Sequence, residues 1–410
     1  MKKIQKLFSV VLVLAMVLSL CACGNAAGGS ADTEKSSKLG ETTVKAGFIC
    51  LHDENSTYDK NFIDAAKATC ESLGIEYVIK TGIPEGQECY QAACDLVDEG
   101  CNFIFADSFG HEDYIIEAAK KFPDVQFAHA TGTKAHTENL DNYHNAFASI
   151  YEGRYLAGVA AGCKLVEMIN NGEITADQAK IGYVGAYTYA EVISGYTSFF
   201  LGVRSMVPEA TMEVTFTGSW YDETAEKEGA QKLIDDGCVL ISQHADSMGA
   251  PTACETAGVY DVSYNGSTES ACPNTFIVSS KINWAPYFEH CIVAISNGEN
   301  FETDYIGTIA TDSVQLTAFG SCVAADTEEK VNEAKAALEA GTLHVFDTST
   351  FTVGGQELTT YMADVDSDPA YEGDHEVIID GYFNESADGF RSAPYFDVRI
   401  DGITLLDEQY

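Results

Sequence analysis

Residues able to do binding chemistry gather in a few short stretches of this chain. Trp220 is one of only two tryptophans and follows Thr217-Gly218, so its ring can stack on a flat ligand or pack a hinge. Stacking of that kind contributes roughly 1–3 kcal/mol per ring, by analogy with bases on aromatic side chains. Tyr58 and Phe62 offer an opposing wall, although Phe62 equally suits the first core position of a helix. Asp59 precedes that helix, where a carboxylate either caps backbone N–H groups or accepts from a ligand N–H. His52-Asp53-Glu54 follows one apolar run directly, and Gln243-His244-Ala245-Asp246-Ser247 follows another. Gln243 carries a donor and an acceptor, and Asp246 can take an amine or hydroxyls. His244 orients Asp246 or satisfies backbone, and Asn265 stands in the same relation to the next apolar run. Ser108-Phe109-Gly110 offers backbone amides, with Phe109 also a fit for core, and Asp222 closes the stretch 218–222.

These side chains suit recognition better than catalysis. A metal-dependent hydrolase built on His52, Asp53, His244 and Asp246 is the enzymatic alternative, but the spacing matches no established ligand pattern. No GxSxG, Walker loop, HExxH or GxGxxG in the right context occurs in the chain. No catalytic residue, cofactor or metal is therefore expected. Tyr151-Glu152-Gly153-Arg154 reads as a structural Glu–Arg pair at a helix start.

A weak duplication shows how the candidate residues are held. Lys45-Ala46-Gly47-Phe48-Ile49 returns as Lys180-Ile181-Gly182-Tyr183-Val184, 135 residues later. Leu96-Val97-Asp98-Glu99-Gly100-Cys101 returns as Leu233-Ile234-Asp235-Asp236-Gly237-Cys238 at an offset of 137, and Thr81-Gly82 as Thr217-Gly218 at 136. In each copy apolar strands alternate with helices. The first copy gives a strand over 46–51, a helix over 61–73, a strand over 76–80, a helix over 87–99 closed by Gly100, and a strand over 102–106. That alternation implies two doubly wound α/β lobes with parallel sheets. Ligands of such sheets bind beyond the carboxyl ends of the strands, and every candidate stretch falls there. Two facing lobes would share one ligand.

The remaining features bound where such a protein works. Lys2, Lys3 and Lys6 precede an apolar run of 14 residues over 7–20, short for a membrane span and suited to a signal peptide. Leu20-Cys21-Ala22-Cys23-Gly24 resembles a lipobox, which predicts cleavage after residue 22, lipid on Cys23 and a flexible tether over 23–43. The net charge of −40 disfavours nucleic acid as a partner. Of 13 cysteines, setting aside Cys21 and Cys23 leaves an odd 11 with no CxxC pair, so free buried thiols are expected rather than a disulfide scaffold.

Several motifs together carry a family resemblance. They are Tyr151-Glu152-Gly153-Arg154-Tyr155-Leu156-Ala157-Gly158, Trp220-Tyr221-Asp222, Gln243-His244-Ala245-Asp246-Ser247, Asn283-Trp284-Ala285-Pro286-Tyr287 and Arg391-Ser392-Ala393-Pro394-Tyr395-Phe396. The chain resembles the basic membrane protein (BMP) family of ABC substrate-binding lipoproteins, whose members include purine nucleoside receptors. The resemblance implies a type I periplasmic-binding fold with hinge crossings near 171–179, 275–282 and 309–316. It divides the chain into a first lobe over 44–175 plus 280–312 and a second over 176–279 plus 313–410. It also implies a purine between two aromatic rings, with carboxylates and a lysine around it, and ABC permease and ATPase subunits as partners. The second ring matches Trp220 and the lysine Lys281. Ile63 stands where nucleoside binders have Asn, which leaves a free base, another small ring or a sugar open. A receptor feeding a sensor kinase is a further alternative to import.

Overall fold

The computed structural model describes residues 38–365, 375–386 and 390–408. The expected signal peptide, Cys23 and most of the tether lie outside these residues.

The duplication reappears as topology. In the first copy, strands β1 (Lys45–Ile49), β2 (Glu76–Lys80), β3 (Phe103–Ala106) and β4 (Gln126–Ala130) alternate with helices α1 (Thr57–Leu73), α2 (Gln87–Asp98) and α3 (Glu112–Lys121). After β5 (Tyr143–Ala148) and α4 (Ile150–Asn170), the second copy gives β6 (Lys180–Gly185), α5 (Ala190–Met206), β7 (Thr211–Phe216), α6 (Glu223–Asp235), β8 (Leu240–Gln243), α7 (Gly249–Ala257) and β9 (Tyr260–Tyr264). Both sheets run in the same spatial order, β2-β1-β3-β4 and β7-β6-β8-β9, with parallel pairing throughout. The likeness extends to side chains. Lys45 Nζ donates to the Glu99 carbonyl and Lys180 Nζ to the Asp236 carbonyl, each at 2.9 Å. Gly100 and Gly237 end their helices at φ of 89° and 92°, a region open to glycine at little cost.

The chain then crosses between lobes. β10 (Phe276–Ile282) extends the second sheet beside β9. Helix α8 (Ala285–Asn297) packs on α1, and β11 (Asp304–Gly307) extends the first sheet beside β5. β12 (Val314–Leu316) returns to pair antiparallel with β10. Helix α9 (Thr327–Glu339) lies on α4, and β13 (Ile403–Leu405) closes the second sheet beside β7.

Two expected crossings move. Helix α4 packs along α5 and against β10, β12 and α9, so it belongs to the second lobe. The first crossing therefore falls at 148–150, not 171–179. Its apolar surface had no intrinsic side. What seats it is close approach: a Cβ at Gly158 would stand 2.1 Å from the Phe199 carbonyl oxygen, and one at Gly202 the same distance from that of Tyr155. The second crossing follows β10 at 283–284, because residues 276–282 are laddered into the second sheet. The third lies over 308–313, between β11 and β12. Helix α1 also begins four residues before the expected 61, because Ser56 caps it by accepting from Asp59 N.

The C-terminal segment ties the two lobes together. Ser392 N donates to Asp304 Oδ1 at the first lobe. The Glu385 carboxylate, 3% exposed, accepts from Tyr395 N and Phe396 N and pairs with Ser194 Oγ of α5. Burial lifts the Glu385 carboxyl to about 7, and those hydrogen bonds offset only part of the effect. Between pH 4.5 and about 7 the folded protein thus keeps a proton that the unfolded chain has released. Stability from this group falls as pH rises through that window. Glu385→Gln places an amide where the protonated acid stands. It should be near neutral at pH 5 and stabilising by about 1–3 kcal/mol at pH 8 in urea unfolding. An equal effect at both pH values would refute this linkage. All 11 cysteines among the described residues are free, and only Cys94 and Cys322 are not fully buried.

Candidate ligand-binding cleft

The carboxyl ends of both sheets open onto one cavity of about 380 Å³, within the usual range of small-molecule sites. From the first lobe, β1 delivers Leu51 and His52, the first turn of α1 delivers Tyr58 and Asp59, and β3 delivers Ser108 and Phe109. From the second, β6 delivers Tyr189 and Glu191, β7 Trp220, β8 His244 and Asp246, and β9 Tyr264 and Asn265. The strand ends after β4 and β9 each place a non-glycine residue in the left-handed region, Thr131 at φ 65° and Asn265 at φ 66°. Both line the cavity. Strain of this kind costs about 1–3 kcal/mol per residue and gathers at functional sites. The rims touch: Thr57 N donates to the Asp246 carbonyl at 3.1 Å, and the Phe109 and Tyr189 rings stack at 4.9 Å.

Hydrogen bonds set the charge pattern of the floor. Asp59 Oδ1 accepts from His52 N at 2.7 Å, while Oδ2 lies 2.6 Å from Ser56 Oγ and 3.3 Å from His52 Nδ1. Burial works to raise the Asp59 carboxyl, but the bonds from His52 and Ser56 outweigh it and hold it below the usual range. Burial first, and then the Asp59 charge, push Asp107 and Asp246 well above that range. Asp59 is thus biased toward the ionised form, whereas Asp246 on the same cavity wall, and Asp107 behind it, are biased toward the protonated form. Asn265 Nδ2 is a buried donor with no hydrogen-bond partner among the described residues.

Behind the second lobe's wall lies a relay. His244 Nε2 is 2.6 Å from Glu191 Oε2, and its Nδ1 is 3.1 Å from the Tyr183 hydroxyl. Tyr183 in turn accepts from Arg154, which is fully buried and also donates to the carbonyls of Ser263 and Gln243. The guanidinium lies over the Tyr264 ring, 4.8 Å from its centroid. The expected Glu152–Arg154 pair is not formed. A helix places these two residues about 200° apart, so they cannot face one another.

Nine of the expected site residues line the cavity: His52, Tyr58, Asp59, Ser108, Phe109, Trp220, His244, Asp246 and Asn265. Five do not. Asp53 is exposed and accepts from Asn55. Phe62 is core, stacked on Trp284 at 4.4 Å. Asp222 caps α6 by accepting from Thr224 N and Ala225 N. Gln243 is buried and spends its amide on the carbonyls of Ala245 and Ser247. Lys281 lies on β10 opposite Gln315, away from the cavity lining. With Asp53 turned outward, the four-residue hydrolase set is not assembled. Cys50, Asp59 and Asp107 do bring ligand-type atoms within 4.8 Å of one another. All three are buried, and burial holds the Cys50 thiol well above its ordinary value.

The family model described as ABC transporter substrate-binding protein PnrA-like matches residues 49–341. The chain belongs to this family. It is 30% identical over 336 residues to a purine-binding protein of Brucella abortus (strain 2308), covering 81% of this chain and 89% of that one. A Haloferax volcanii protein with the provisional name ABC transporter glucose-binding protein is 32% identical, over 56% of this chain and 54% of its own length. An ABC transporter solute-binding protein from Conexibacter woesei DSM 14684 superposes with a TM-score of 0.60 at 20% identity, covering 74% of this chain and 98% of that one. That likeness shows the α/β periplasmic-binding fold. Proteins of this family bind small molecules for ABC importers, working with permease and ATPase subunits, and are not enzymes.

The family match stops at residue 341, but the cleft wall does not. Asp364, Arg391, Ala393, Pro394, Tyr395, Asp397 and Arg399 all line the cavity. Sequence reasoning missed them, whereas Thr131, Thr133, Tyr189 and Glu191, which also line the cavity, lie in strand-end loops where the doubly wound lobes are expected to meet a ligand. A signal for the tail was present. Phe396, Val398 and Ile400 alternate with Tyr395, Asp397 and Arg399, the pattern of an extended segment with one buried face.

Proposed function

We propose that this substrate-binding protein captures a purine nucleobase or nucleoside in the cleft between its lobes and delivers it to an ABC permease. One observation carries the reading. The cavity pairs aromatic rings (Tyr58, Phe109, Tyr189, Trp220, Tyr264) with the carboxyl groups of Asp59 and Asp246, shifted in opposite directions, and the buried amide of Asn265. A flat ring with alternating N–H donors and acceptor nitrogens complements that set. The Brucella abortus purine-binding relative supports the same class. The Haloferax volcanii likeness supports a second reading, a sugar.

A thermal-shift panel of purine bases, nucleosides and simple sugars tests the proposal, because a ligand of the folded state stabilises by RT ln(1 + [L]/Kd). A shift with purines and none with sugars is expected. The reverse result overturns the purine reading in favour of the sugar. Lipid on Cys23 would hold the protein on the outer membrane face by several acyl chains. Cys23→Ser should then move it to the soluble fraction, and retention on the membrane would refute that anchor.

A further inference from the structure

We infer that the C-terminal segment forms a second subsite in the cleft, in which Asp397 and Arg399 read the hydroxyl groups of a sugar attached to the bound ring. This rests on the ring-binding reading above and decides between a free base and a nucleoside.

The segment is held rigidly enough to recognise a ligand. Phe396, Val398 and Ile400 are each no more than 4% exposed, and Phe396 stacks on Phe346 at 4.1 Å. In an extended chain this pins the alternate residues to the opposite face. Tyr395, Asp397 and Arg399 occupy that face, and all three line the cavity. Ser392, bonded to Asp304 of the first lobe, and Glu385, bonded to Ser194 of the second, fasten the segment just ahead of it.

The charge it brings differs from the rest of the wall. Among the described residues, Arg391 and Arg399 are the only Arg or Lys residues lining the cavity, and both come from this segment. Arg391 donates to the carbonyls of Ala393 and Pro394 and so braces its own backbone. Arg399 gives one Nη1 bond to the Tyr196 hydroxyl, and Asp397 accepts on Oδ1 from the Tyr361 hydroxyl. Asp397 and Arg399 are both exposed, so the remaining guanidinium donors and the second carboxylate oxygen face solvent, where a ligand can reach them. A hydroxyl both donates and accepts, so an adjacent carboxylate and guanidinium satisfy it. A phosphate would gain from Arg399 but meet Asp397, Asp364 and a surface of net charge −40. The geometry therefore favours sugar hydroxyls over a nucleotide.

Titration calorimetry of the full chain tests this with adenine and guanine, their ribonucleosides and their 5′-monophosphates. The wild-type protein should bind the ribonucleoside of whichever base it accepts about tenfold tighter than that base, as expected for a charge-assisted hydrogen bond. Arg399→Ala should bring the ratio near one while the free-base affinity changes little. Tyr196→Phe removes the same tether yet leaves the guanidinium, so it should keep most of the preference. An unchanged ratio in Arg399→Ala, no wild-type preference for the nucleoside, or a monophosphate that binds tightest overturns the second subsite. A wild-type protein that binds none of these compounds instead overturns the purine reading itself, and this inference with it.

Discussion

Arg154→Ala is expected to lower the unfolding free energy by about 3–5 kcal/mol, from buried acceptors left unmet together with the cavity left behind. The guanidinium is fully buried and donates to the carbonyls of Ser263 and Gln243 and to the hydroxyls of Tyr183 and Ser242. Removing it leaves those acceptors in a dry interior, where each unmet group costs about 1–3 kcal/mol, and opens a cavity beneath the Tyr264 ring. Tyr183 loses the donor that orients it toward His244, so ligand affinity should fall as well. Arg154→Met separates the two contributions. It refills much of the volume without the charge, and hydrophobic replacement of buried charge is often tolerated. Denaturant unfolding should rank wild type above Arg154→Met above Arg154→Ala. A loss below about 1 kcal/mol for the alanine variant would show that the network contributes little.

Trp220→Ala is expected to weaken ligand binding by about 1–3 kcal/mol, or roughly tenfold to a hundredfold in Kd. The ring lies on the second lobe's wall, supported edge-on by Tyr187 at 4.9 Å. Its carbonyl accepts from Asp246 N at 3.0 Å. That bond is backbone and survives the substitution, so the change isolates the ring from the carboxyl it helps to place. Trp220→Phe keeps a flat face and should recover most of the affinity. Calorimetry on the tightest ligand of the panel decides it, and an alanine variant that binds within twofold of wild type refutes stacking at this position.

Much of this architecture was legible because it is written in local pattern. The repeat of Lys45–Ile49 at residue 180 and the twin helix-ending glycines are properties of single segments. They led directly to two parallel sheets in the same order. Strand ends were legible too, and nine of the fourteen candidate residues lie on the cavity wall. The side chains that left the cavity did so for different reasons. Asp222 and Gln243 follow or end strands as expected, but their side chains satisfy nearby backbone, and a short polar side chain gives no sign of which way it will turn. Phe62 went to the core because Trp284, 222 residues away, supplied a partner ring.

Periodicity, turn residues and internal duplication specify helices, strands and their order, since each depends on neighbours in the chain. Which lobe helix α4 joins was decided only when Gly158 met the Phe199 carbonyl. The wall that Asp397 and Arg399 build likewise exists only because buried Glu385 and Ser392 hold the tail against both lobes. Such contacts join segments far apart in sequence, and their energy comes from shape and burial that no single segment carries.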